Sequence, residues 1–323
     1  MKVGRWLRGG LGACCLLAAG LALAGDDAAF ETMRAADLRL ARIAWRLNVG
    51  NAALCHMQEP GTGLVLHALG AYQGGDRERV RVAFDFTTAI GVEGVIPDSP
   101  ADRAGLRPDD SIASIAGVPF DAALPTAGAP TTRVLRQVAD GLAARPATGP
   151  IQFVVQRRGT SRAVTVDAIP SCRARLELLL DKRFDASSSP GLIQIGYGFL
   201  DSYDDTFVAA VVAHELAHLV LGHHAELTRT KGGRRAAAVR RTEIEADRLS
   251  VYLLANAGYD PVDAARFWRR YGPEHGCTLL CGPGHPAWSD RAAALGKEAA
   301  AIPPDAARPL RPAYFAGRLR PIN

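Results

Sequence analysis

The stretch Val211–His224 reads VVAHELAHLVLGHH, four histidines and a glutamate among valines and leucines. His214 and His218 are four residues apart, so on a helix they stand about 40° apart on one face. That spacing lets two imidazoles reach one ion, and Glu215 projects beside them. Burying unpaired rings and a carboxylate costs free energy, and metal ligation offsets that cost. The pattern H-E-x-x-H therefore points to metal-assisted hydrolysis, with Zn²⁺ as the expected ion and Glu215 as the base that takes a proton from the attacking water.

Such a site needs a third protein ligand and an open position. Two candidates compete. His224 lies six residues after His218, but reaching back requires a glycine turn at 221, where this chain has Leu221, with Gly222 one place late. The other candidate lies in TEIEADRLS, Thr242–Ser250. Glu243 and Asp247 share a helical face there. Glu243 can ligate, and Asp247 can hydrogen-bond a ligating imidazole and fix its tautomer. Glu245 points to another side of that helix and is the poorer ligand.

The elements that must hold these residues can be read in outline. Residues 28–50 carry apolar positions at helical spacing and predict one amphipathic helix ending near Gly50. Leu64–Tyr72 and Val80–Phe86 read as strands, Thr131–Ala143 as a helix, and Gly191–Leu200 as a strand before the HExxH helix. DSYDD, Asp201–Asp205, offers N-cap side chains for that helix. The polar run around Gly232-Gly233, through Arg241, reads as a mobile loop or a frayed helix, and whether it covers the site is open.

Composition bounds the rest. The chain has 323 residues, 48% hydrophobic and 22% charged, enough for two modest globular domains. Lys2, Arg5 and Arg8 precede an apolar run and the small-residue site Ala22-Leu23-Ala24, so residues 1–24 read as a secretory signal peptide. Its removal takes away three basic residues and lowers the net charge from +5 to +2, which gives no reason to expect a nucleic-acid partner. No other segment is long and apolar enough to span a bilayer. Cleavage also removes Cys14 and Cys15. Cys55, Cys172, Cys277 and Cys281 remain, and three disulfide pairings are open to them in an exported chain.

Two resemblances emerge from these motifs. Ser99-Pro100-Ala101, Ala104-Gly105-Leu106, Asp110, Ile112, Ile115 and Gly117 resemble PDZ domains, especially those attached to bacterial proteases. Asp109 stands where that family usually has glycine. The resemblance implies a groove, between the helix near Thr131–Ala143 and the strand near Val80–Phe86, that takes an extended peptide.

The second resemblance rests on H-E-x-x-H at 214–218, Leu221-Gly222-His223, E-x-x-x-D at 243–247, and His285-Pro286 with Arg291 six residues after His285. In that order these motifs resemble the CAAX prenyl protease and HtpX-like family of glutamate-liganded zinc peptidases, over roughly Cys172–Leu295. The resemblance implies one Zn²⁺ held by His214, His218 and Glu243, with Asp247 behind them. It also implies catalytic roles for Glu215, for His285 as oxyanion stabiliser and for Arg291. The strand near Gly191–Tyr197 would pair with substrate. With the PDZ-like unit inserted, Cys55 and Cys172 flank the insert and would staple its ends, and Cys277–Cys281 would close a small loop.

The expected fold class is thus α+β. A mainly helical zinc-peptidase domain with a small sheet occupies 25–75 and 170–323, and a β-rich PDZ-like domain occupies 76–169. The expected activity is zinc-dependent endopeptidase cleavage of polypeptides in the periplasm or cell envelope, a setting consistent with protein quality control. A metal-binding chaperone or adaptor of the same fold is the alternative. A serine protease is disfavoured because the chain has no G-x-S-x-G, and an intramembrane protease because it has no set of spans.

Overall fold

A computed structural model describes the chain over 13–120, 124, 128–180, 186–275 and 286–319, with side chains from residue 28 onward. In chain order, helix α1 (Ala13–Gly50) leads to strands β1 (Gln58–Gly61) and β2 (Leu64–Ala68), helix α2 (Arg77–Ala83), β3 (Ile90–Val95), α3 (Pro100–Arg103), β4 (Ser111–Ile115) and β5 (Val118–Pro119). Helix α4 (Arg133–Ala143) and strands β6 (Gly149–Arg157) and β7 (Thr160–Cys172) complete this unit. Then come β8 (Arg175–Leu179), β9 (Ala186–Ser189), β10 (Leu192–Gly196), α5 (Tyr197–Ser202), α6 (Asp205–Val220), α7 (His223–Arg229), α8 (Arg235–Asn256), α9 (Asp263–His275) and α10 (Trp288–Ala300).

Seven strands form one sheet in the order β1-β7-β6-β4-β3-β2, with β5 on β4. Its core is built by Ile90, Val92, Ile112, Phe153, Val155 and Val166, which alternate inward along their strands. Leu64–Ala68 pairs with β3 here, so the inserted unit begins well before residue 76. The chain leaves the helical domain on β1 and returns on β7, paired antiparallel with Gln58 opposite Cys172. The Cys55–Cys172 disulfide closes the base of this excursion, with Cα atoms 5.5 Å apart.

The second core is helical. Every residue of α6 from Val208 to Ala217 is buried, as expected of a helix that is apolar nearly all round. Leu40, Ile43 and Leu47 of α1 pack into the same core, at the spacing the sequence predicted. Asp204 caps α6 by accepting from the backbone N–H of Thr206 and Phe207. A small sheet lies beside it in the order β8-β10-β9, with β8 parallel and β9 antiparallel to β10.

Val80–Phe86 is not a strand: Arg77–Ala83 is helical, with Val80 and Phe84 buried and Val82 turned to solvent at 66% exposure. A strand would put all three on one face, whereas a helix separates Val82 from the i, i+4 pair. Of the two readings for the run through Arg241, the helical one holds from Arg235 to Arg241, the first part of α8, where the glycine pair gives way to three alanines. Strand β10 is paired on both sides, so its backbone groups are occupied, and the edge strand near the HExxH helix is β9.

Helix α1 also grips the inserted unit. Arg34 pairs with Asp109, whose φ of +67° is the left-handed turn conformation that usually falls to glycine. Leu38 fills the space over Gly94, where a Cβ would meet its Cδ2 at 2.2 Å. Between them Asp37 hydrogen-bonds Glu93. Burial, the Asp37 charge and that hydrogen bond raise Glu93 to about 8; burial raises Asp37 to about 6, against the hydrogen bond. The folded chain thus holds protons that the unfolded chain releases near pH 4. Stability from this pair is present below about pH 4 and is lost as pH rises through about 6 to 8. Glu93→Gln, neutral at every pH, should flatten the decline expected between pH 5 and 9 in thermal melts. The difference should reach about 3 kcal/mol, and equal slopes would rule out the shared proton.

Candidate metal centre

The centre is built by two packed helices and a turn. Helix α6 ends at Leu221, and Gly222, at a φ of +68°, turns the chain so that α7 begins with His223. The consequence of the late glycine is plain: His224 is exposed and apart from the cluster, while His223 is fully buried. Helix α8 brings Glu243 opposite His214 and His218. His214 Nε2 lies 3.1 Å from His218 Nε2 and 3.3 Å from Glu243 Oε2, and His218 Nε2 lies 3.4 Å from Glu243 Oε1.

These separations test whether a zinc ion fits. In a tetrahedral complex with metal–ligand distances of about 2.0–2.1 Å, the ligand atoms stand roughly 3.3–3.4 Å apart. Two imidazole nitrogens and a carboxylate oxygen already stand close to that triangle, within 4.8 Å of one another. The donor set is one that zinc accepts, although imidazole and carboxylate also suit other first-row ions.

Behind the triangle the side chains are locked. Arg291 is 2% exposed. Its Nε and Nη2 each reach a different oxygen of Asp247 at 2.6 Å, its Nη2 is 3.5 Å from Glu243, and its guanidinium lies 3.9 Å from the Trp268 ring centre. It thus supports the ligands from inside the core, in the neighbourhood of Glu243. Asp247 Oδ1 lies 3.0 Å from His214 Nδ1, a close contact that is not aligned as a hydrogen bond.

Burial opposes charge on His214, but Asp247 and Glu243 outweigh it and raise its imidazole to about 10. The carboxylates that stabilise this proton are the ones that would balance a dication. Burial raises Asp247, yet Arg291 and His214 bring it below the usual carboxylate range. Burial, then the neighbouring His218 and Arg318, hold His223 far down, so its ring is neutral.

Glu215 is buried beside the triangle, and Ser188 on edge strand β9 donates a 2.6 Å hydrogen bond to its Oε2. Nothing in the Ser187–Ser189 run marked Ser188 out in the sequence. Glu245, the poorer ligand, is not in the triangle and instead meets His223 and Arg318. His285, Cys277 and Cys281 lie outside the described residues.

On the inserted unit α4 packs beside edge strand β2, where Leu64, Leu66, Val134, Leu135 and Leu142 are half-buried against its core; the expected strand wall at Val80–Phe86 is instead helical over Arg77–Ala83. Gly63 opens the strand at a φ of +78°, where a Cβ would meet Ser99 Cβ at 2.1 Å.

The chain matches the PDZ domain family over residues 91–125, so it contains a PDZ domain. No curated protein matches it. Among solved structures it is similar to the serine endoprotease from Yersinia pestis, at 19% identity over 35% of this chain and 30% of that one, with a TM-score of 0.23. The HtrA3 PDZ domain bound to a phage-derived ligand matches at 14% identity over 35% and 88%, TM-score 0.25. The HtrA-type protease AlgW with decapeptide matches at 25% over 35% and 30%, TM-score 0.26. The chain thus spans less than a third of the two protease chains, and likeness at these scores carries no functional weight.

Proposed function

We propose that this chain is an exported zinc-dependent endopeptidase of the glutamate-liganded class, with a PDZ domain that binds extended peptide segments. The observation that carries this reading is the triangle of His214, His218 and Glu243, with Glu215 buried next to it on the same helix. His214, His218 and Glu243 would hold the zinc, which would supply Lewis-acid chemistry toward water and a peptide carbonyl. Glu215 accepts the proton of the attacking water and returns it to the leaving amine. Asp247 and Arg291 keep His214 turned inward. Edge strand β9 offers backbone groups with which a substrate strand can pair, and edge strand β2 beside α4 does the same for a second segment. Among the described residues no single helix is long and apolar enough to cross a membrane.

The hydrogen bond from Ser188 to Glu215 favours a second reading. It occupies the base, and a scaffold that keeps the metal but rarely cleaves would act as a chaperone or adaptor. Casein cleavage separates the two. The peptidase reading expects cleavage that a chelator abolishes and added zinc restores; a zinc-loaded protein that holds unfolded casein and never cuts it supports the scaffold.

A further inference from the structure

We propose that His223 and Glu245 form a relay that orients the metal ligand His218, with Arg318 as its anchor. The relay rests on the metal reading above and adds positioning residues to it. With His218 turning Nε2 to the triangle, its Nδ1 points the other way and lies 2.9 Å from His223 Nδ1. Two ring nitrogens at that distance share one hydrogen, so one donates and the other accepts. A neutral imidazole that ligates through Nε2 carries its hydrogen on Nδ1, so His218 donates and His223 accepts. His223 then carries its own hydrogen on Nε2, 3.1 Å from Glu245 Oε2, which accepts it. One carboxylate thereby sets the tautomer of both rings.

The carboxylate is itself fixed. Arg318 Nη1 donates to Glu245 Oε2 at 2.6 Å, and its Nη2 donates to the Leu221 carbonyl at the end of α6 at 2.8 Å. The Arg318 carbonyl accepts from His56 Nε2 at 2.8 Å, next to the disulfide-bonded Cys55. The chain of contacts runs from the metal ligand through a side chain only 1% exposed to the C-terminal segment. His223 is buried while Glu245 and Arg318 stay partly exposed, so losing the partner of His223 leaves a buried ring nitrogen unpaired. Asp247 stands directly behind His214 Nδ1; Glu245 stands behind His218 Nδ1 at one remove. Partners of this kind fix the orientation and basicity of a ligating imidazole.

The test is zinc affinity, measured by competition with a chromophoric chelator on the full chain, wild type beside His223→Phe and Glu245→Gln. His223→Phe keeps a ring in the space and removes both hydrogen bonds. Its zinc affinity should fall about 10- to 100-fold, and the visible spectrum of the cobalt(II)-loaded chain should shift. Glu245→Gln keeps an acceptor oxygen without charge and should cost less, roughly three- to tenfold. A folded His223→Phe chain with zinc affinity and cobalt spectrum like the wild type overturns the relay. If that variant does not fold, wild-type affinity in Glu245→Gln overturns it instead. A wild-type chain that takes up no zinc sinks the metal reading and the relay together, an outcome distinct from variants that bind as the wild type does.

Discussion

Glu215→Gln is expected to lower peptide cleavage on the order of 10³-fold while leaving zinc content unchanged. The magnitude follows from removing a positioned general base, which contributes about 10²–10⁴ in rate. The unchanged zinc follows from position, because Glu215 is outside the triangle formed by His214, His218 and Glu243. Glutamine has the same shape and keeps an oxygen that can accept from Ser188, whose hydroxyl lies 2.6 Å from the native carboxylate. The loss should therefore appear in kcat, with KM close to wild type. A Glu215→Gln chain that keeps more than a tenth of wild-type kcat would move the base elsewhere. A chain that loses zinc as well would place Glu215 among the ligands.

Arg291→Met should destabilise the metal-free chain by about 3–5 kcal/mol, because it leaves a buried carboxylate uncompensated. Asp247 is 5% exposed, and Arg291 covers both of its oxygens. Melting the metal-free form keeps ligand binding out of the comparison. A chain of this size should lose roughly 10 °C in Tm. The double variant Arg291→Met with Asp247→Leu replaces the ion pair by apolar side chains and should recover most of the stability. It should not recover zinc affinity, because His214 then has no carboxylate behind its Nδ1. If the single variant melts within 2 °C of wild type, the Arg291–Asp247 fork is not what holds this core.

Much of the candidate site was legible in the sequence because its spacing is local. His214, Glu215 and His218 fall on one helix, and Glu243 and Asp247 on another, so periodicity alone put each group on a shared face. The PDZ signature was legible for a similar reason: Ser99 caps α3 through its side chain, and Gly105 and Gly117 sit at turns whose φ near +80° favours glycine. Asp109 filled a left-handed position without glycine, and the turn survived.

What escaped reading was set by contacts distant in sequence. Glu245 meets His223, 22 residues away, and Arg318, 73 residues away, so its own helix gave no sign of a role. Arg291 was linked to the site by motif, but only packing shows that it stands behind Asp247 in the core. The error over Val80–Phe86 had a different cause. Val80, Val82 and Phe84 alternate as a strand would, and only the exposure of Val82 reveals the helix. The inner position of β10 was also invisible, since the sequence does not say which of three short strands lies at the edge.

X-ray absorption at the zinc edge of the reconstituted full chain tests the central claim most directly. The account predicts one zinc per chain, with about two imidazole nitrogens and oxygen ligands at roughly 2.0–2.1 Å, and loss of that signal in His214→Ala. A chain that takes up no zinc after reconstitution, or one whose zinc shows sulfur ligands or no imidazole, would contradict it.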